Sequence, residues 1–209
     1  MRKPEYRFAV ALALAGMALV ARGQTCERPA GFVDPPRPEI APLEELISHT
    51  EVRYANQSLA ANAQAANRPL RIDATKDLPG VTGTARLSNG PYGTVGARRL
   101  VCKTDGTTSV EEVLANESGE DFRRFRYVVW NNASPQFRDV AYAVGEFVRT
   151  QAAPDKTRIE WTYRFALKSG ISAEERARFQ KVFVEQQFAE WMRTQMDRKD
   201  PAAEAPRSP

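Results

Sequence analysis

The sequence predicts an α+β domain in which a curved antiparallel β-sheet wraps a long carboxy-terminal helix. Two observations carry that expectation. Between residues 81 and 167, six runs rich in β-branched and aromatic residues alternate with turn-forming clusters. After Gly170 the apolar spacing changes to that of a helix. Short connections between consecutive strands make the sheet a meander, and the helical stripe has only the sheet as a partner surface large enough to cover it.

The six runs are Val81 to Leu87, Thr94 to Lys103, Thr107 to Asn116, Phe122 to Trp130, Asp139 to Thr150 and Lys156 to Leu167. Asn89-Gly90-Pro91, Asp105-Gly106, Ser118-Gly119 and Ala153-Pro154-Asp155 punctuate them with residues that adopt turn conformations at low cost. Upstream, Glu51 to Tyr54 reads as a short strand and Ser58 to Ala65 as a short helix. Ser172 followed by Glu174-Glu175 marks a helix start. Phe179, Val182, Phe183, Gln186, Met192 and Met196 then fall at helical spacing, with Phe188 and Trp191 nearby, to about Arg198. Phe179, Phe183, Trp191 and Met192 are expected to cement this helix to the sheet.

The 209 residues, 42% hydrophobic and 27% charged, fit one globular domain. Of the formal net charge of +4, +3 lies in the first 23 residues, so the remainder is nearly neutral. The pairs Arg98-Arg99 and Arg123-Arg124 form no continuous stripe with aromatics between them, and nucleic-acid binding is disfavoured. One histidine, His49, and two cysteines cannot build a multi-His or Cys-rich metal site, and no cofactor motif is present. His49 has no nucleophile beside it in a triad-like pattern.

Met1 to Arg7 carries three basic residues, Phe8 to Ala21 is apolar or small, and Ala21-Arg22-Gly23 offers a cleavage site. This pattern is that of a secretory signal peptide over 1–23, cut after Gly23, with the mature protein periplasmic or secreted. The 14-residue apolar run is short of the roughly 20 a spanning helix needs, so no permanent membrane span is expected once it is cut. Residues 24–42 hold five prolines and read as a mobile leader, 43–198 as the domain, and 199–209 as a disordered tail. Export permits a disulfide, and Cys26 with Cys102 is the only intramolecular pairing available to the mature chain. Spacing alone leaves that bridge and a free, buried Cys102 both open.

Several segments resemble one family. Leu78-Pro79-Gly80-Val81-Thr82-Gly83-Thr84, Gly90 to Arg99, Asp105-Gly106-Thr107-Thr108 with Glu111-Glu112-Val113, and the later runs Phe125 to Trp130, Tyr142 to Phe147 and Thr157 to Tyr163 are similar, in this order, to bacterial members of the START-like (SRPBCC) superfamily. These are the polyketide cyclase/dehydrase and lipid-transport proteins. The resemblance covers roughly residues 45 to 195. It implies a helix-grip fold: a seven-stranded antiparallel sheet, two short helices after the first strand, and a long final helix closing a cavity. No catalytic residue carries over, because members place different polar groups in the cavity.

Alternation assigns the strand faces. In the last strand Ile159, Trp161, Tyr163, Phe165 and Leu167 form the apolar face, and in Phe122 to Trp130 the inward residues are Phe125, Tyr127 and Val129. Val140, Tyr142, Val144, Glu146 and Val148 are chosen for Asp139 to Thr150, Val110, Glu112 and Leu114 for Thr107 to Leu114, and Arg98, Leu100 and Cys102 for Thr94 to Lys103. Arg98, Glu112 and Glu146 then share an aromatic interior where a charge must pair, shift its pKa or meet a ligand. A wrong face choice, a structural ion network and a wet sheet mouth are the competing accounts of these three. The expected function is binding of a small hydrophobic or amphipathic ligand between sheet and helix, with Arg98, Glu112, Tyr127, Tyr142, Glu146, Trp161 and Tyr163 as contacts. The alternatives are a cyclase or dehydratase using Glu112 or Glu146 as general base, and an envelope interaction module with a filled interior.

Overall fold

The computed structural model describes residues 26–66 and 72–197, so the expected signal peptide and the expected tail over 199–209 lie outside the described residues. Seven antiparallel strands run β1 (Ile47–Ala55), β2 (Val81–Arg86), β3 (Arg98–Lys103), β4 (Thr108–Ser118), β5 (Phe122–Trp130), β6 (Val140–Ala153) and β7 (Lys156–Leu167). Their order across the sheet is β1-β7-β6-β5-β4-β3-β2. Every neighbour from β2 to β7 is thus consecutive in sequence, and β1 closes the far edge against β7. One short helix, α1 (Leu59–Ala66), follows β1 among the described residues, where the resemblance implied two.

The final helix has three consecutive segments: α2 (Ala173–Arg178), a π-helical stretch (Phe179–Phe188) and α3 (Ala189–Met196). Ser172 caps it through a reciprocal capping box with Glu175, which satisfies two of the otherwise orphaned amides. The π stretch alters the apolar spacing, because i→i+5 bonding makes each turn wider than an α turn. Phe179, Phe183, Val184 and Phe188 are buried through it, while Val182, expected in the stripe, is 41% exposed and Gln186 is exposed.

The helix lies on the concave face of the sheet. Phe179, Phe183, Phe188, Trp191, Met192 and Met196 pack there against Tyr127, Trp161, Tyr163 and Phe165. Phe188 meets Tyr163 at 4.8 Å and Phe165 at 4.9 Å between ring centroids, both edge-on, the geometry that aromatic quadrupoles favour.

The convex face is apolar as well, because the amino-terminal segment covers it. Leu100, Val110, Val128, Trp130, Tyr142 and Val144 form a second cluster. Cys26, Phe32, Ile40, Leu43 and Leu46 pack against it. A Cys26–Cys102 disulfide fastens the segment to β3. Arg98 pairs with Asp34 at 2.8 Å, Arg37 pairs with Glu112 at 2.8 Å, and the Ala41 amide donates to the Tyr142 hydroxyl at 2.9 Å. The expectation of a free, mobile leader is therefore corrected for residues 26–42, which form a strap across the sheet.

Candidate functional site

The concave face of each strand sets the site, and pairing across the sheet fixes which residues reach it. On β7 and β5 the faces are as alternation predicted, with Tyr127, Trp161 and Tyr163 all facing the helix. Arg98, Glu112 and Glu146 are not inward, which corrects the face choice on β3, β4 and β6. Glu112 pairs across β4–β5 with Val128, and Glu146 pairs across β5–β6 with Arg126, both in the convex set. The physical reason is the strap: with both faces apolar, alternation on these strands marks no unique inner face. Tyr142 also belongs to the convex cluster, since a bulge between Val140 and Tyr142 reverses the phase of β6 and leaves Val140, alone of the five chosen residues, on the helix side with Ala143 and Phe147.

Glu112 and Glu146 are buried, and Arg98 half-buried, in ion networks on the convex side. Glu112 accepts from Arg37 and lies 3.6 Å from the Arg98 guanidinium, which itself stacks 4.8 Å above Trp130. Glu146 is met by Arg126 at 2.6 Å, Arg164 at 3.2 Å and Arg124 at 3.4 Å.

Their sequence neighbours occupy the concave side instead. A cavity of about 110 Å³ lies between sheet and helix, with Tyr127, Phe147, Trp161, Tyr163, Phe188 and Trp191 as its aromatic walls and Arg99, Lys103, Ser109 and Glu111 at its polar end. Tyr142 borders it only at the β6 bulge. A second depression of about 360 Å³, between Pro135–Phe137 and the final helix, is a solvent-open cleft with Arg138, Asp139, Glu175 and Arg178 on its walls.

The polar end is internally satisfied. Arg99 donates to Glu111 Oε2 at 2.6 Å, the Tyr92 hydroxyl donates to the same oxygen at 3.1 Å, and the Arg99 guanidinium stacks 3.7 Å from the Tyr92 ring. Burial raises the Tyr92 phenol, and the Glu111 carboxylate raises it further. Lys103 donates to Asn132 Oδ1 at 2.5 Å, Ser134 Oγ at 3.2 Å and the Thr108 carbonyl at 3.3 Å. Burial pushes its pKa down to about 8, against the pull of Asp105 and Glu111.

The aromatic walls hold less satisfied groups. The Tyr127 and Tyr163 hydroxyls share one hydrogen bond of 2.8 Å; burial, with the Glu111 charge adding to it, raises both phenols well above the usual range, for Tyr127 against the opposing pull of its hydrogen bonds and Arg99. The indole nitrogen of Trp191 is buried with no hydrogen-bond partner, whereas that of Trp161 lies beside the Tyr127 hydroxyl; both rings wall the cavity. Buried donors of this kind are normally paired, so the Trp191 N–H is left without the acceptor such a group usually has. Neutral phenols, indole N–H groups and stacked rings suit an apolar or aromatic guest with few polar atoms.

Sequence reasoning missed Arg99, Lys103 and Glu111 by one position on each strand. The signal that would have found them is the apolar content of the supposed tether, Phe32, Ile40, Leu43 and Leu46, which announces a second covered face. His49 pairs with Glu51 at 2.7 Å, and Arg193 of the helix reaches the same carboxylate at 2.9 Å. Among the described residues no group of His, Cys, Asp and Glu is arranged to hold a metal ion.

No family model and no curated protein matches the sequence. Solved structures do match. A hypothetical protein of Helicobacter pylori has a TM-score of 0.51 at 12% identity, covering 79% of this chain and 96% of that one. A START superfamily protein of Mycobacterium smegmatis gives 0.48 at 8% identity, covering 71% and 93%. Norcoclaurine synthase of Thalictrum flavum, in complex with dopamine and hydroxybenzaldehyde, gives 0.42 at 10% identity, covering 81% and 98%. At such identities the likeness is one of fold, and the fold in common is the helix-grip.

Proposed function

We propose that this START-like helix-grip domain binds a small hydrophobic or amphipathic molecule between the concave face of the sheet and the final helix. The observation that carries the reading is the aromatic cavity between sheet and helix, with the buried, unpartnered indole N–H of Trp191 in its wall. Its size narrows the ligand class. An apolar cavity of roughly 150 Å³ takes a benzene ring, whereas drug-sized ligands need about 300 Å³ or more. At about 110 Å³, below that benzene-binding volume, the enclosed part of the ligand is no larger than one compact ring or a short alkyl chain, and the rest lies outside.

The carboxylate-base version of an enzyme has no support in this geometry, since Glu112 and Glu146 face away from the cavity and are paired with arginines. We further propose that the protein is exported through its amino-terminal signal and works in an oxidising compartment, where the Cys26–Cys102 bridge is stable. Among the described residues no helix is long and apolar enough to cross a membrane.

Native mass spectrometry of the mature protein from the exporting host tests both parts. A stoichiometric small adduct lost on denaturation, on a chain beginning at Gln24, is the expected result. No adduct, together with no change in tryptophan emission from Trp161 and Trp191 across a panel of single-ring and short-chain compounds, would refute the binding reading.

A further inference from the structure

Among the described residues, one row of the concave face carries positive charge with no carboxylate to balance it. Along the sheet, the row of Phe125, Phe147 and Trp161 is followed, two residues further on each strand, by Arg123, Arg149 and Ile159, and Ile159 pairs across β1–β7 with Arg53. Arg123 and Arg149 stand directly opposite one another across β5–β6. Like charges in that position destabilise a sheet unless something neutralises them. Among the described residues no carboxylate pairs with Arg53, Arg123 or Arg149, and from Tyr54 to Ile72 the sequence contains no Asp or Glu.

Arg149 is the most telling of the three. Its guanidinium lies 4.9 Å from the Phe147 ring, its Nε is buried without a hydrogen-bond partner, and burial alone lowers its pKa, with no neighbouring charge in opposition. Arg123 folds back onto the Gly119 and Phe122 carbonyls of its own turn. The Phe147 ring in turn stacks on Trp161 at 4.8 Å, and both wall the cavity. By contrast the cationic groups at the other end are already engaged, Arg99 by Glu111 and Lys103 by four oxygen acceptors.

We infer that this arginine row, centred on Arg149, is the head-group site for an amphipathic oxyanion whose apolar end fills the cavity. The inference rests on the binding reading above and names its ligand class: a ring or short chain joined to a carboxylate or a similar planar or tetrahedral oxyanion, which a guanidinium fork meets with paired N–H donors. Two residues along a strand span roughly 6.6 Å, so a linker of about three atoms connects a ring beside Phe147 to a head at Arg149.

The test uses 3-phenylpropionate and its uncharged amide, titrated calorimetrically into the full mature chain. The acid is expected to bind at least tenfold more tightly than the amide. Arg149→Gln should bring the acid to the level of the amide and leave the amide unchanged, and Arg149→Lys should restore part of the difference. Arg158→Gln, on the convex face and paired with Glu160, should change neither. A second arm replaces chloride by sulfate at constant ionic strength. Sulfate should raise the melting temperature of the wild type and not of Arg149→Gln, because an anion bound only to the folded state stabilises it. Equal binding of acid and amide, or equal weakening of the acid by the Arg149 and Arg158 variants, overturns the head-group site and leaves the cavity reading standing. Failure of both compounds to bind overturns the cavity reading, and an equal sulfate response in wild type and Arg149→Gln then overturns the arginine site as well.

Discussion

Gly145→Ala is the sharpest single perturbation of the cavity wall. Gly145 stands opposite Tyr127 across β5–β6, and the Tyr127 ring lies over it on its way to the Tyr163 hydroxyl. A methyl added at Gly145 would sit 2.6 Å from Tyr127 Oη and 2.9 Å from Cε1, with Cζ in contact too, distances no relaxed Cβ adopts. The backbone of Gly145 is not in the left-handed region, so the whole effect is steric. Tyr127 is 6% exposed and walls the cavity, so it must leave its rotamer towards that space and release Tyr163. Overpacking costs about 1–3 kcal/mol and the lost hydrogen bond about 1, a destabilisation of about 2–4 kcal/mol. For a domain of this length that corresponds to a melting temperature lower by about 5–15 °C. Urea denaturation of the single variants and of the double variant with Tyr127→Leu closes a thermodynamic cycle. The alanine should cost less than about 0.5 kcal/mol once the Tyr127 ring is gone. A Gly145→Ala protein as stable as the parent, or one equally weakened with Leu at 127, would refute the argument.

Three further outcomes follow from other parts of the molecule. The Cys26–Cys102 bridge closes a loop across a sequence separation of 76, for which chain entropy gives up to about 4.5 kcal/mol. Urea midpoints with and without reductant should differ accordingly, and reduced protein should bind anilinonaphthalene sulfonate at the uncovered convex cluster. Glu146→Ala leaves Arg124, Arg126 and Arg164 facing one another; because these arginines are partly exposed, the loss should be about 2–3 kcal/mol rather than the ~3–5 of a fully buried pair, with ligand affinity unchanged. Lys103, with its folded pKa lowered to about 8, binds fewer protons in the folded than in the unfolded chain between pH 8 and its ordinary value of 10.5, so stability should rise with pH through that window. Tyr92, Tyr127 and Tyr163 act in the opposite sense: raised in the folded state, they hold protons that the unfolded chain loses above pH 10, and stability should fall there. Lys103→Met should abolish the rise and keep the fall, as measured by denaturation between pH 7 and 11.

Most of the strand and helix content was legible because local patterns determine it. Phe122–Trp130 and Lys156–Leu167 have the bounds that composition and turn residues predict, and Ser172 with Glu175 fixes the start of the final helix. Face assignment succeeded on β7 because its outer side, Arg158, Glu160, Thr162 and Arg164, is polar and the alternation has one solution. It failed on β3, β4 and β6 because the strap makes their outer side apolar, so Leu100, Val110 and Val144 carry the same signal as true cavity residues. Bulges between Val113 and Ala115 and between Val140 and Tyr142 add phase changes that alternation does not register. Two of the three candidate charges were right in type and wrong by one position: Arg99 and Glu111, not Arg98 and Glu112, are the pair at the cavity, while Glu146 has no charged counterpart there. The arginine row depends on pairing across four strands, which a single chain does not reveal before the register is known.

The strap also decides how the domain bears a mechanical load. Tension applied to the chain ahead of Cys26 passes through the disulfide directly to Cys102 on β3, and residues 27–101, including the edge strands β1 and β2, lie in a covalently closed loop that carries none of it. The force enters within the sheet, along a strand hydrogen-bonded on both sides by β2 and β4, so failure requires shearing rungs together rather than peeling an edge strand one bond at a time. Reduction of the bridge would return the load to β1, where it meets the sheet at its edge.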